Sequence, residues 1–183
     1  MNIIQTPIAD LLILEPKIFG DERGYFYESY NKNLFEGKGL NYNFIQDNQA
    51  YSQFGVLRGL HYQHPPFAQT KLIRVIVGEI MDVVVDLRKN SQTFGRWYGI
   101  RLSGDNHRQL LVPKGFAHGY VVTSEKCLVQ YKCDEFYHPE AEGGINPFDA
   151  ELNIDWGINY DKAKLSDKDK IHPSFRECIN KFD

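Results

Sequence analysis

The stretch KLIRVIVGEIMDVVVDL, residues 71–87, decides the fold. Two valine- and isoleucine-rich runs, Leu72–Val77 and Ile80–Leu87, are parted only by Gly78-Glu79. Branched side chains fit a pleated strand, and a glycine-bearing break between them marks a turn. Outward from this pair, short β-rich runs recur at Leu11–Leu14, Gly24–Tyr30 and Val56–Tyr62 on one side. On the other side they recur at Trp97–Leu102, Gln109–Val112, Gly119–Thr123 and Leu128–Tyr131. Their separators are turn formers: Gly20-Asp21, Pro65-Pro66, Ser103-Gly104-Asp105 and Pro113-Lys114-Gly115. Many short strands at this spacing predict an all-β sandwich or barrel.

Helix signals are few. Asn31 is placed to cap a short segment carrying Leu34 and Phe35, stopped by Gly37 and Gly39. Ser166-Asp167-Lys168-Asp169 resembles a capping box, with Pro173 close behind. The 183 residues suit one domain spanning 1–183, since no linker, repeat or low-complexity tract divides them. The last twenty or so residues are more polar and are expected to pack outside the barrel. Twenty-one Lys+Arg against 24 Asp+Glu give a net charge of −3, too balanced for a generic nucleic-acid or membrane-surface binder. An anionic ligand must therefore meet local basic residues. Cys127, Cys133 and Cys178 form no Cys-x-x-Cys pair, which disfavours structural zinc and points to reduced thiols. With no leader-like or membrane-length apolar run, a cytoplasmic location is expected.

Strand parity sorts the chemistry-bearing residues. Tyr131 shares a face with Val129 and Cys133, and Lys71 shares one with Ile73 and Val75. A polar group on the inner face of a small barrel must find a partner or meet a ligand, so both point to a cavity. His61-x-x-His64 with a distant His118 suggests a metal, but His61 and His64 have opposite parity, and Gln69 and Lys71 stand where an acidic ligand would be needed. Acid–base chemistry without a metal needs a base, a group orienting it, an acid on the opposite face and a cation for developing charge. His61, Asp169, Tyr131 and Lys71 supply those types, although spacing alone does not assemble them. On the residues alone, Asp169 reads first as a helix-capping residue with no catalytic contact. Arg58, three residues from His61, faces the wrong way on a regular strand unless Gly59 makes a bulge or Arg58 approaches from the barrel edge.

In this order along the chain stand Gly20-Asp21-Glu22-Arg23-Gly24, Gln46-Asp47-Asn48, Leu57-Arg58-Gly59-Leu60-His61 and Pro113-Lys114-Gly115-Phe116-Ala117-His118-Gly119. Tyr131-Lys132, Glu142-Gly143, Ile154-Asp155-Trp156 and Leu165-Ser166-Asp167-Lys168-Asp169 follow. Through these segments the chain resembles the dTDP-4-dehydrorhamnose 3,5-epimerases, cupin-fold enzymes acting third in dTDP-L-rhamnose synthesis. The resemblance implies an all-β cupin-type jelly roll with a few short peripheral helices. It places the general base on His61, its orienting carboxylate on Asp169, the general acid on Tyr131 and the oxyanion-stabilising cation on Lys71. His118 matches a sugar-pocket histidine. Arg23, Glu28, Gln46, Asp47, Asn48, Arg58, Glu142 and Lys168 fall on or beside nucleotide- and sugar-holding positions, and Phe26 and Tyr137 match aromatics near the base.

The implied reaction inverts C3 and C5 of a dTDP-linked 4-keto-6-deoxy sugar with no cofactor and no metal, in a homodimer. The alternatives are a single-centre epimerase of a related nucleotide sugar, a metallocupin oxygenase or isomerase, and a non-catalytic sugar-binding jelly roll. One segment departs from the family's pattern. After Glu142-Gly143, where a Trp-Asn-Asp-Pro-like stretch is usual, this chain carries Ile145-Asn146-Pro147-Phe148-Asp149-Ala150.

Overall fold

Gly78 turns the chain between two sheets. The strands it joins, β7 (Lys71–Val77) and β8 (Glu79–Asp86), lie in different sheets of the computed structural model, which describes residues 1–178 and 182. Gly78 has φ +82°, and a Cβ there would come within 2.1 Å of the Lys126 carbonyl oxygen, so only glycine fits this corner.

The remaining strands are β1 (Asn2–Gln5), β2 (Leu12–Glu15), β3 (Phe19–Asp21), β4 (Gly24–Phe26), β5 (Gln46–Gln53) and β6 (Leu57–Gln63). They continue with β9 (Trp97–Ser103), β10 (Gln109–Val112), β11 (Phe116–Val122), β12 (Lys126–Cys133) and β13 (Glu142–Gly144). A six-stranded sheet runs β1-β2-β10-β7-β12-β5 and a five-stranded sheet runs β13-β6-β11-β8-β9. Pairing within both is antiparallel. Packed face to face, they form the jelly-roll barrel, with β3 and β4 as a separate two-stranded hairpin.

Alternation along the strands makes three apolar layers. Between the sheets, Ile73, Val75, Leu110 and Val129 meet Ile80, Val84, Phe116 and Val122. On the outer face of the five-stranded sheet, Leu60, Val83, Val85 and Val121 are covered by Ile145, Leu152, Trp156 and Phe182. On the outer face of the six-stranded sheet, Leu12, Leu14, Leu72 and Leu111 are covered by Phe35 and Leu40. Phe35 comes from α1 (Lys32–Glu36), whose cap Asn31 accepts the Leu34 N–H as its sequence predicts.

Three expectations need correction. Of the run Gly24–Tyr30, only Gly24–Phe26 is strand. Gln46–Gln53, a polar segment without the usual strand formers, is a full strand because it edges the six-stranded sheet and pairs along its length with β12. The C-terminal stretch does more than pack outside the barrel, because α2 (Asp167–Lys170) carries a buried carboxylate to the cavity wall.

Candidate active site

The cavity has an outer lobe of about 350 Å³ and an inner lobe of about 280 Å³, and His61, Lys71 and Tyr131 line both. His61 comes from β6 and Tyr131 and Lys71 from β12 and β7, so the groups approach from opposite sheets.

Gly59 explains how Arg58 and His61 reach the same space. Its φ is +135°, a Cβ on it would lie 2.5 Å from the Gly119 Cα, and the pairing of β6 with β11 slips register between His118 and Tyr120. The irregularity breaks strict alternation, so both residues line the inner lobe. Arg58 Nε and Nη2 each donate to Ser52 Oγ at 3.3 Å.

Two histidine–carboxylate pairs stand side by side. His61 and His118 are cross-strand partners. His61 Nε2 lies 2.5 Å from Asp169 Oδ1, and His118 Nε2 lies 2.6 Å from Asp82 Oδ1. Ser166 Oγ donates to Asp169 Oδ2 at 2.8 Å and accepts the Asp169 N–H at 3.2 Å. The two readings of Asp169 therefore coincide, because the helix cap is what aims the carboxylate at His61. Burial alone would raise the Asp169 pKa, but the bonds from His61 and Ser166 outweigh it and hold it below the usual carboxylate value. The carboxylate stays ionised and can fix the tautomer of His61.

Burial moves Tyr131 and Lys71 in opposite directions, each toward its neutral form. Burial pushes the Tyr131 phenol up, reinforced by Cys133 and Glu142 and opposed by Arg58, so it remains a protonated donor. Burial pulls the Lys71 ammonium down, against the opposing pull of Cys133, Asp82 and Glu142.

At the mouth, Glu142 pairs with Lys168 and accepts the Tyr137 hydroxyl at 2.8 Å. These bonds outweigh burial and hold the Glu142 carboxyl below its usual value. Gln46 Nε2 donates to Asn48 Oδ1 at 3.1 Å, and both side chains line the outer lobe.

Four residues placed on the substrate by resemblance lie elsewhere. Asp47 is on the outer face of β5, bound to Lys132 Nζ at 2.8 Å. Arg23 and Phe26 stand on the exposed β3–β4 hairpin, where Arg23 pairs with Asp21 at 2.5 Å and its side chain is 84% exposed. Glu28 accepts from Asn31 Nδ2 at 2.8 Å. Their outward positions follow from strand alternation and from the hairpin's standing apart from both sheets.

Sequence reasoning missed Asp82, Gln63, Tyr120 and His172 as site residues, and read Ser166 only as part of a helix cap. Asp82 had a readable signal, an acid flanked by the apolar residues Ile80, Met81, Val83, Val84 and Val85 of β8. Gln63 holds the cavity rim, accepting the His138 N–H at 2.7 Å and donating to the Phe136 carbonyl at 3.0 Å. His172 lies three residues from Asp169, but its ring contact with His61 is one that no motif spacing reveals.

His61, Asp169 and His172 are also where ligand atoms converge, all within 4.8 Å of one another. The 2.5 Å between His61 and Asp169 is a hydrogen-bond separation, shorter than that between two ligands held ~2 Å from one tetrahedral ion. His64, the other member of the suspected metal pair, stacks edge-on against Tyr62 away from the cavity lining.

Comparison with known proteins follows this geometry. A family model described as dTDP-4-dehydrorhamnose 3,5-epimerase matches residues 5–177. The enzyme of that name from Shigella flexneri is 52% identical over 170 residues, covering 92% of this chain and 93% of that protein. The crystal structure of the Elizabethkingia anophelis NUHP1 enzyme superposes with a TM-score of 0.92 at 50% identity, covering 97% of each chain. The Legionella pneumophila Philadelphia 1 epimerase, solved in complex with dTDP-4-keto-L-rhamnose, gives 0.92 at 49% identity, covering 96% of this chain and 93% of that one.

Proposed function

The chain belongs to the dTDP-4-dehydrorhamnose 3,5-epimerase family, and from that premise we propose how its cavity converts dTDP-4-dehydro-6-deoxy-D-glucose to dTDP-4-dehydro-L-rhamnose. The C4 carbonyl acidifies the protons on C3 and C5, because the carbanion left behind spreads into it as an enolate. Inversion then needs a base on one face of the sugar and an acid on the other. The observation that carries the reading is the approach of His61 and Tyr131 to one cavity from opposite sheets.

His61 removes the proton, with Asp169 steadying its ring and the imidazolium that forms. Tyr131 returns a proton to the opposite face. Lys71, with His118 beside His61, faces the charge developing on O4. Arg58 and Lys168 supply the cationic contacts that a pyrophosphate requires in an acidic protein. The mechanism uses no metal and no organic cofactor.

The homodimer suits the placement of Arg23, Phe26 and Glu28. On their own chain they stand outside the cavity, with Phe26 66% exposed on a hairpin that also shows Phe19 and Tyr25 to solvent. In a dimer such a hairpin can lend its cation and aromatic groups to the other copy. No helix among the described residues is long and apolar enough to cross a membrane, and cytoplasmic action fits a nucleotide-sugar substrate.

The test is proton–deuterium exchange on dTDP-4-dehydro-6-deoxyglucose in heavy water, followed by NMR. Deuterium at both C3 and C5 with formation of the L-rhamno product is expected. Exchange at one centre alone would replace this reading with that of a single-centre epimerase.

A further inference from the structure

His172 shares the carboxylate oxygen that holds His61. Its Nε2 lies 3.5 Å from Asp169 Oδ1, the atom that His61 Nε2 approaches at 2.5 Å. The two imidazoles meet edge-on, with ring centroids 5.4 Å apart at 73°. The His172 side chain is only 10% exposed, and its Nε2 is buried and makes no hydrogen bond to any described residue.

The surrounding chain makes room for this ring and holds it. Gly144 is the cross-strand partner of His61, and a Cβ at Gly144 would come within 2.3–2.5 Å of the His172 ring atoms. The next residue, Pro173, accepts the Asn146 N–H at 2.8 Å, and the Phe175 N–H donates to Asp149 Oδ2 at 2.9 Å. Asn146 and Asp149 belong to the segment that departs from the family's usual pattern, so that segment anchors the backbone on which His172 sits.

We propose that His172 is a positioning residue for the base, drawing on the shared Asp169 oxygen so that the carboxylate does not hold the proton on His61 too tightly for turnover. The proposal rests on His61 being the base. A carboxylate that gives both its oxygens to Ser166 and His61 alone would favour the imidazolium strongly, and an imidazolium cannot remove a substrate proton. The positive end of a His172 Nε2–H dipole 3.5 Å from Oδ1 weakens that preference electrostatically, without a formed hydrogen bond. For this His172 must be neutral. It faces Asp169 and Lys168 from α2, His61 from β6 and Glu142 from β13. Burial and the neighbouring cations outweigh the two carboxylates and hold it below the usual histidine value.

The experiment measures kcat/KM for epimerisation from about pH 5.5 to about pH 9 in wild type, His172→Ala and His172→Gln. In His172→Ala the acidic limb moves to higher pH, with a loss of about 3–10-fold near pH 6 and of less than about twofold near pH 8. The glutamine, whose amide can donate to the same oxygen, brings the limb back toward wild type. A uniform fall at every pH, or an unmoved limb in both variants, is the signature of packing alone and would overturn the proposal. Ring-nitrogen NMR of the wild-type protein tests it without any variant: His172 should stay uncharged throughout the active range, and a cationic His172 there would refute it. A wild-type protein that exchanges no solvent proton into the substrate would bring down the parent reading and this one with it.

Discussion

Tyr131 and His61 line one cavity from opposite sheets, Tyr131 from β12 of the six-stranded sheet and His61 from β6 of the five-stranded sheet. The arrangement separates proton removal from proton return. Tyr131→Phe keeps the ring and its packing but deletes the donor, so kcat for epimerised product should fall by about 10²–10⁴-fold while KM changes little. Because His61 still abstracts, deuterium should enter the substrate faster than inverted product accumulates. Both are read from one NMR sample, and inversion keeping pace with exchange at the wild-type rate would remove Tyr131 from the acid role.

Asp169 is held at three points, by His61 on one oxygen and by Ser166 on the other oxygen and on its backbone N–H. Asp169→Asn should cost up to ~10⁴-fold in kcat through loss of tautomer control, as in triad enzymes. Ser166→Ala removes the aim of the carboxylate and the helix cap together. It should lower kcat by about tenfold and stability by about 1 kcal/mol. Steady-state kinetics and thermal melts on both variants check this. Near-normal turnover in Asp169→Asn would leave that residue a helix cap and nothing more.

The cap of α2 was readable in the sequence because Ser-x-x-Asp is a local pattern, and the inward faces of Tyr131 and Lys71 followed from strand parity. Arg58 was ambiguous because parity assumes a regular strand, and only the conformation of Gly59 resolves it. β5 was invisible because its strand character comes from pairing with β12 and not from its own residues. His172 lay beyond reach for a different reason. It meets His61 through a fold-back of more than a hundred residues, a contact that neither propensity nor spacing encodes. Arg23 and Phe26 on the hairpin, and Glu28 just beyond it, mark the opposite limit, since resemblance put them at a site that their own chain does not bring them to.

Lys71 carries a cost. Burial lowers its folded pKa below the ordinary lysine value of 10.5. The unfolded chain therefore binds its proton more tightly than the folded one, and this group's destabilising contribution fades as pH rises from the folded toward the unfolded value. At neutral pH, Lys71→Met should raise Tm, by roughly 2–4 °C for each ~1 kcal/mol recovered at this size. The same change should lower kcat by about 10²–10³-fold through loss of the oxyanion cation. The wild-type rate should fall at alkaline pH earlier than a free lysine would dictate. A variant both less stable and fully active would contradict the placement of this charge.

The convergence of His61, Asp169 and His172 makes a bound ion the sharpest competitor to metal-free chemistry. Activity should survive exhaustive chelation, and purified protein should hold well below one equivalent of transition metal. Chelator-sensitive turnover restored by a particular divalent ion would replace the proposed base with a metal-bound one.

Arg58 separates binding from chemistry. It reaches the inner lobe because of the irregularity at Gly59, and among the described residues its guanidinium is held by long bonds to the Ser52 hydroxyl. A neutral hydroxyl is a weak partner for a cation, so the fork is open to a better acceptor, and a diphosphate oxygen is one. Losing a charge-assisted bond worth roughly 1.5–3 kcal/mol should raise KM by about 10–100-fold in Arg58→Ala. If that contact is equally strong in the ground and transition states, kcat should change much less. Arg58→Lys should recover only part of the loss, since a point charge cannot reproduce the two parallel N–H donors. The check is a KM-against-kcat split for both variants, with dTDP competition measuring nucleotide affinity directly. Unchanged dTDP affinity in Arg58→Ala, with the loss confined to kcat, would move Arg58 from the nucleotide to the reacting sugar.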